Sequence, residues 1–372
     1  MSLMKHFLVF ATLCTVILSS SKFGKERSFH YSIIGNGSLY KKTIQVQSET
    51  DAKDLYAAFV EKDADKILCI LARRTNFQRQ EIVRLYDTFY SQELRRRILT
   101  SIVNQTFKDI LLTLIQETGI YLGAYLQNIL PKKTFSAVTG ILTEAAADEA
   151  TIIANNYEAA SGPSLISDLK KYTCGEYQKG LICLATGAQL PSPVTIKTRR
   201  DCKYYYPQPG IEEAESYAHD LHEAFKRKEC VCSGNISVLM CELDPFGLAL
   251  VDKVYKKNFG RTLEQEVEDK TSGNLKFLLE TFLGIANRRT KFFAALIHKL
   301  LYASTLDHQE VLRLFITRAE IDLTDIMFAY KKVYKVSLED DVNKKTNGIF
   351  ERTLLTLMGR NKKCLFIKPR KK

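Results

Sequence analysis

The sequence predicts an all-α protein assembled from four related units of about 70 residues, a period that marks repeat architectures. Three observations predict it. Apolar residues recur at helical spacing: Ile82, Leu85, Tyr86 and Phe89 follow the i, i+3, i+4, i+7 stripe that turns one helix face to a core, and Leu275, Leu278, Leu279 and Phe282 do the same. Residues 67–90 (ILCILARRTNFQRQEIVRLYDTFY) match 311–334 (VLRLFITRAEIDLTDIMFAYKKVY) at a fixed separation of 244, which sets Arg74 against Arg318, Tyr86 against Tyr330 and Tyr90 against Tyr334. A third pattern recurs four times, at 101–115, 170–185, 268–283 and 343–358. Three of its copies carry Thr-x-Gly, at Gly175, Gly273 and Gly348, which lie 98 and 75 residues apart. The longer interval contains a linker around residues 188–211.

The 372 residues are 45% hydrophobic and 26% charged, the balance of a folded globular chain, which excludes wholesale disorder, collagen and a coiled-coil rod. Lys plus Arg (54) exceed Asp plus Glu (42), for a formal net charge of +12. Such a surface favours anionic partners: acidic lipid headgroups, nucleic acid or an acidic protein.

At the N-terminus, Lys5 precedes an apolar run at 7–18 (FLVFATLCTVIL) and then Ser19, Ser20 and Ser21. This is the layout of a secretory signal peptide. The run rises only about 18 Å as a helix, short of the ~30 Å hydrocarbon core of a bilayer. Residues 1–21 are therefore expected to be removed, leaving a soluble, exported chain. Alternation of the strand kind is scarce outside 30–48. In each Thr-x-Gly, the Thr is expected to cap the following helix and the Gly to relax a tight turn. Asp340 and Asp341 read as solvated surface on the next helix.

Eight cysteines remain after the leader, an even number that permits disulfides without fixing their pairing. Cys69 and Cys183 lie in apolar helical runs and read as small core residues, whereas Cys202, Cys230, Cys232 and Cys364 lie in polar, exposed stretches. Cys174 and Cys241 complete the set. Sequons stand at Asn36, Asn104 and Asn235. His219 and His222 precede Cys230 and Cys232 and hold zinc-type donors, but at no common finger spacing.

The four copies, their length, the turn Thr271-Ser272-Gly273, the stretch LARRTNFQRQEI at 71–82 and the linker phrase GIEEAE at 210–215 together resemble the annexin family. The resemblance covers roughly residues 49–360 and is closest over 260–359. It implies four repeats of about five helices each in a curved disc. The repeats fall at 49–118, 119–187, 212–287 and 288–360, with a variable region at 22–48, the linker at 188–211 and a basic tail at 361–372. It implies docking of the convex face on acidic phospholipids through calcium, and a monomer in solution.

Calcium wants roughly six to eight oxygens. In annexins the loop between the first two helices carries Lys-Gly-x-Gly-Thr, whose glycines turn carbonyls to the ion, and a distal Asp or Glu completes the shell. The first loop here contains Glu61, Asp63 and Asp65 but no glycine, with Ser101 or Ile102 at the distal position. The second contains Lys132 and Lys133, with Tyr172; the third Lys228, with Lys270; the fourth Tyr302, with Lys345. No glycine pair and no distal carboxylate survives. No metal is therefore expected, with Glu61, Asp63 and Asp65 as weak candidates. Lys132, Lys133, Lys228, Lys270 and Lys345 are instead expected to give a calcium-independent attraction to anionic membrane, each worth about 1 kcal/mol near the surface.

No glycine-rich phosphate loop or nucleophile elbow is present, so no catalytic residues and no cofactor besides the family's calcium are expected. The basic tail and the stretch at 197–206 (KTRRDCKYYY) mix charge and aromatics, yet nucleic acid is not the expected partner. Two functions from different classes follow. One is a secreted membrane-adhesion protein; the other is a secreted interaction module that uses the same scaffold to bind a protein.

Overall fold

In a computed structural model, the described residues are 40–187, 195–196, 204–205, 210–226 and 235–365. The leader, most of the linker, Lys228, Cys202, Cys230 and Cys232 lie outside them. The helices are α1 (Tyr40–Glu61), α2 (Ala64–Ala72), α3 (Asn76–Tyr90), α4 (Leu94–Ser101), α5 (Gln105–Leu114), α6 (Thr118–Ile129), α7 (Phe135–Glu144), α8 (Ala147–Ser161), α9 (Leu165–Tyr172) and α10 (Gly175–Ala185). There follow α11 (Ile211–Lys226), α12 (Ile236–Cys241), α13 (Pro245–Phe259), α14 (Leu263–Lys270), α15 (Gly273–Leu301), α16 (His308–Ala319), α17 (Leu323–Tyr334), α18 (Leu338–Lys345), α19 (Gly348–Leu357) and α20 (Lys362–Leu365). A two-residue antiparallel pair, Thr195–Ile196 with Tyr204–Tyr205, sits in the linker. α15 is two helices joined at Arg288, whose φ of −153° is not helical.

With α15 divided there, α1 to α19 fall into four successive groups of five. The first and fourth groups belong to one unit (residues to Thr118 and from Phe293), and the second and third to another (Gly119–Phe292). Each unit has its own core. The first buries Leu55, Ile67, Ile82, Tyr86, Phe293, Phe315, Ile326 and Tyr330. The second buries Leu126, Leu142, Tyr157, Leu181, Met240, Val251, Tyr255 and Leu279.

Local chemistry sets the helix limits. Thr75, Thr262 and Ser337 form capping boxes with Gln78, Gln265 and Asp340. Asp63, Asn104, Asp244 and Asp307 accept from the first-turn N–H groups of their helices. The Thr-x-Gly turns work differently from expectation. Thr173, Thr271 and Thr346 close the preceding helix, each giving its backbone N–H and its hydroxyl to the same carbonyl, that of Leu169, Val267 and Val342. In the first and last of these turns the next residue, Cys174 or Asn347, is the N-cap and makes no side-chain cap bond. The glycines do supply the left-handed step, with φ of 63°, 61° and 62°.

Other expectations are corrected. Residues 40–48 are helical, because α1 carries the apolar face of Ala52, Leu55, Ala58 and Phe59 back through Ser48. Phe89 leaves the stripe of Ile82, Leu85 and Tyr86 and is 41% exposed, with Lys53 over its ring. Cys364 is buried and disulfide-bonded to Cys69, with Cα atoms 5.3 Å apart. The start of the tail is thus a short helix tied to α2. Cys183 is bonded to Cys241, joining α10 to α12. Asp341 is also buried, on the face that Leu338 and Val342 define.

Candidate functional site

The candidate site is the set of turns where the first helix of a group meets the end of its fourth. In the fourth group, Lys345 closes α18 and its Nζ lies 3.8 Å from the ring centroid of Tyr302, the first residue after α15. The Tyr302 hydroxyl donates to Asp341 Oδ1 at 2.9 Å, and the Tyr330 hydroxyl to Oδ2 at 2.5 Å. His298 stacks between Tyr302 and Tyr334, at 4.4 and 3.8 Å. A ring and an ammonium therefore meet at the turn where the family resemblance expects an ion, in a cation–π contact worth about 0.5–2 kcal/mol.

The third group repeats the logic. Lys270 closes α14, pairs with Glu266 at 2.6 Å and lies 5.8 Å from the Phe225 ring centroid. Glu266 is buried and also receives Arg261 at 3.0 Å. His222, one of the two histidines with zinc-type spacing, stacks on Phe259 at 3.7 Å and shares a 3.0 Å hydrogen bond with Tyr255. Burial, the largest influence, holds its pKa below the ordinary imidazole value. His219 meets the same Phe259 edge-on.

In the second group Tyr172 is half-buried beneath the Lys171 ammonium, 5.0 Å from its ring. Lys132 is exposed and donates to Asn128 at 2.6 Å. Lys133 is exposed with φ of 57°, and Lys62 in the first loop has φ of 55°. Both lysines occupy a left-handed position that suits glycine.

The three acids of the first loop are drawn to three different tasks. Asp63 caps α2 through the Lys66 N–H at 2.9 Å. Asp65 holds Lys363 at 2.6 Å and Arg352 at 3.1 Å. Glu61 lies 3.9 Å from Lys66. At the distal end, Ile102 closes α4 as Thr346 closes α18, so Ser101 occupies the register of Lys345. The extra residue lies in the turn, before Gln105 opens α5. Among the described residues no group of three or more His, Cys, Asp or Glu is placed to hold a metal. These donors do not fit the oxygen shell of calcium.

The structure also singles out basic residues that the reading of the loops missed. Arg95 and Arg96 are exposed on α4, and Arg97 beside them is half-buried. The signal was present in the 244-residue match, which sets Arg97 against Asp341.

Comparisons with known proteins agree with this architecture. The annexin family model matches residues 292–357, the fourth group. Annexin B22 of Schistosoma mansoni is 31% identical over 363 residues, covering 91% of this chain and 97% of its own. Annexin A13 of Mus musculus is 26% identical, covering 91% and 99%. Among solved structures, calcium-bound annexin (Sm)1 aligns with a TM-score of 0.71 at 28% identity, over 84% of this chain and 90% of that one. The apo form of the same annexin aligns with a TM-score of 0.73 at 29% identity. The repeated five-helix groups and the full-length similarity place this chain in the annexin family.

Proposed function

We infer that this annexin-type phospholipid-binding protein is exported and adheres to acidic membrane surfaces with little or no dependence on calcium. The observation that carries the reading is the occupation of the distal positions: Lys270 and Lys345 bring ammonium groups where a carboxylate would complete an ion's shell, and Tyr172 and Ser101 bring no charge. Exposed basic residues supply the attraction in place of the ion, Lys132 and Lys133 among them. Val60 and Val103, at the end of α1 and in the turn after α4, are 58% and 95% exposed and offer apolar contact beside the first loop. Export is supported by the leader and by two disulfides, which persist in oxidising compartments. No helix among the described residues is long and apolar enough to cross a membrane, which suits peripheral attachment. The protein acts by binding, as a monomer, and not by catalysis.

Co-sedimentation with vesicles containing phosphatidylserine tests this, in calcium and in chelator, at low and high salt. Equal binding with and without calcium, released by salt, is the expected result. Binding that vanishes in chelator contradicts it.

A further inference from the structure

A buried tyrosine recurs on the third helix of every group: Tyr86, Tyr157, Tyr255 and Tyr330. Eleven residues further on, three groups carry a carboxylate, Asp168, Glu266 and Asp341. Tyr157 donates to Asp168 at 2.7 Å and Tyr330 to Asp341 at 2.5 Å, whereas the Tyr255 hydroxyl shares its 3.0 Å hydrogen bond with His222 and feels the Glu266 charge. In the first group the same position is Arg97. A phenol that elsewhere faces an acceptor here faces a second donor.

Neither donor is satisfied. Tyr86 is wholly buried and its hydroxyl has no hydrogen-bond partner among the described residues; the same holds for the buried Arg97 Nε. Both side chains border Phe59. The Arg97 guanidinium lies 5.8 Å from that ring's centroid, and the Tyr86 ring meets it edge-on at 6.4 Å. Burial pushes the Tyr86 phenol up to about 12, and the neighbouring Arg97 charge opposes that push.

The other buried arginines of this unit are matched: Arg79 with Glu320, Arg313 with Glu310 and Arg318 with Asp322. Arg95, Arg96 and Arg97 have no carboxylate partner among the described residues. The nearby Asp87 is engaged by the Leu94 N–H at 2.7 Å. Arg97 lies one turn before Ser101, on the helix face that runs to the loop end of the group.

We propose that Arg97, supported by Arg95 and Arg96, binds a phosphate group, carried by a lipid headgroup or free in solution. A guanidinium presents forked N–H donors that match phosphate oxygens. Such an oxyanion supplies the opposite charge that Arg97 lacks among the described residues. The site needs no metal and does not depend on the membrane reading, because free phosphate is a sufficient probe.

Calorimetric titration of the full chain with sodium phosphate, in chelator and against sodium chloride of equal ionic strength, tests the proposal. The unaltered protein is expected to bind phosphate saturably. Arg97→Asp restores the tyrosine–carboxylate pair of the other groups, so it is expected to fold, and to lose about tenfold or more in phosphate affinity. A second arm uses vesicles of phosphatidylcholine with phosphatidic acid, again in chelator. Weaker vesicle binding by Arg97→Asp assigns the phosphate to a headgroup, and equal binding assigns it to free phosphate. No saturable phosphate binding by the unaltered protein, or an undiminished response in Arg97→Asp, overturns the proposal.

Discussion

A buried charge is tolerable only when it is matched, and the first unit depends on such matches. Arg318 and Asp322 have side chains with no solvent exposure and meet at 2.6 Å, with the Phe293 ring 4.3 Å from the guanidinium. Removing one partner strands the other, at a cost of about 3–5 kcal/mol. Asp322→Ala is therefore expected to lower the unfolding free energy by that amount in urea titrations; a loss below about 1 kcal/mol contradicts the pairing. Tyr330→Phe removes one hydroxyl from Asp341 and is expected to cost about 1 kcal/mol. Asp341 also shows what was legible at this scale. As one of two adjacent acids it reads as solvated, yet Leu338, Asp341 and Val342 share a helical face, and that face is buried. The helical period contained the answer; residue polarity concealed it. Cys364 is different. Its partner stands 295 residues away, and no local pattern in a basic stretch signals that contact.

At the scale of the element, the turns between the fourth and fifth helices carry most of the repeat's signature. Gly273 and Gly348 hold φ of 61° and 62°, and a Cβ there would meet nothing within 4 Å. The cost of adding one is then conformational. Gly348→Ala is expected to cost about 1 kcal/mol, from backbone strain alone, with helix content unchanged by circular dichroism. A loss several times larger would mean a packing role. The spacing of these glycines revealed the repeats, because a left-handed step restricts the residue type. The role of the threonine was not legible: Thr-x-Gly fits a cap for either neighbouring helix, and only the hydroxyl bonds of Thr173, Thr271 and Thr346 back to the preceding turn decide it. The first group has no such glycine, and its turn is one residue longer, so sequence alone left the distal position between Ser101 and Ile102.

For the whole molecule, the repeat pattern made the fold legible because four copies of one packing problem average out local ambiguity. The candidate site was legible in part. The absence of a glycine pair and a distal carboxylate could be read directly, but not what fills the space. The Tyr302–Lys345 contact, the capping task of Asp63 and the ion pairs of Asp65 are tertiary facts. Replacing both Cys69 and Cys364 by Ala is expected to destabilise the first unit by about 2–4 kcal/mol, read as a lower melting temperature that reductant no longer shifts further.

Calcium titration of the protein, followed by calorimetry with phosphatidylserine vesicles present, reaches the central claim most directly. The ammonium groups of Lys270 and Lys345 and the engaged carboxylates of the first loop predict no saturable calcium uptake and no gain in vesicle binding. Stoichiometric uptake at micromolar calcium, with vesicle binding rising in step, would contradict it.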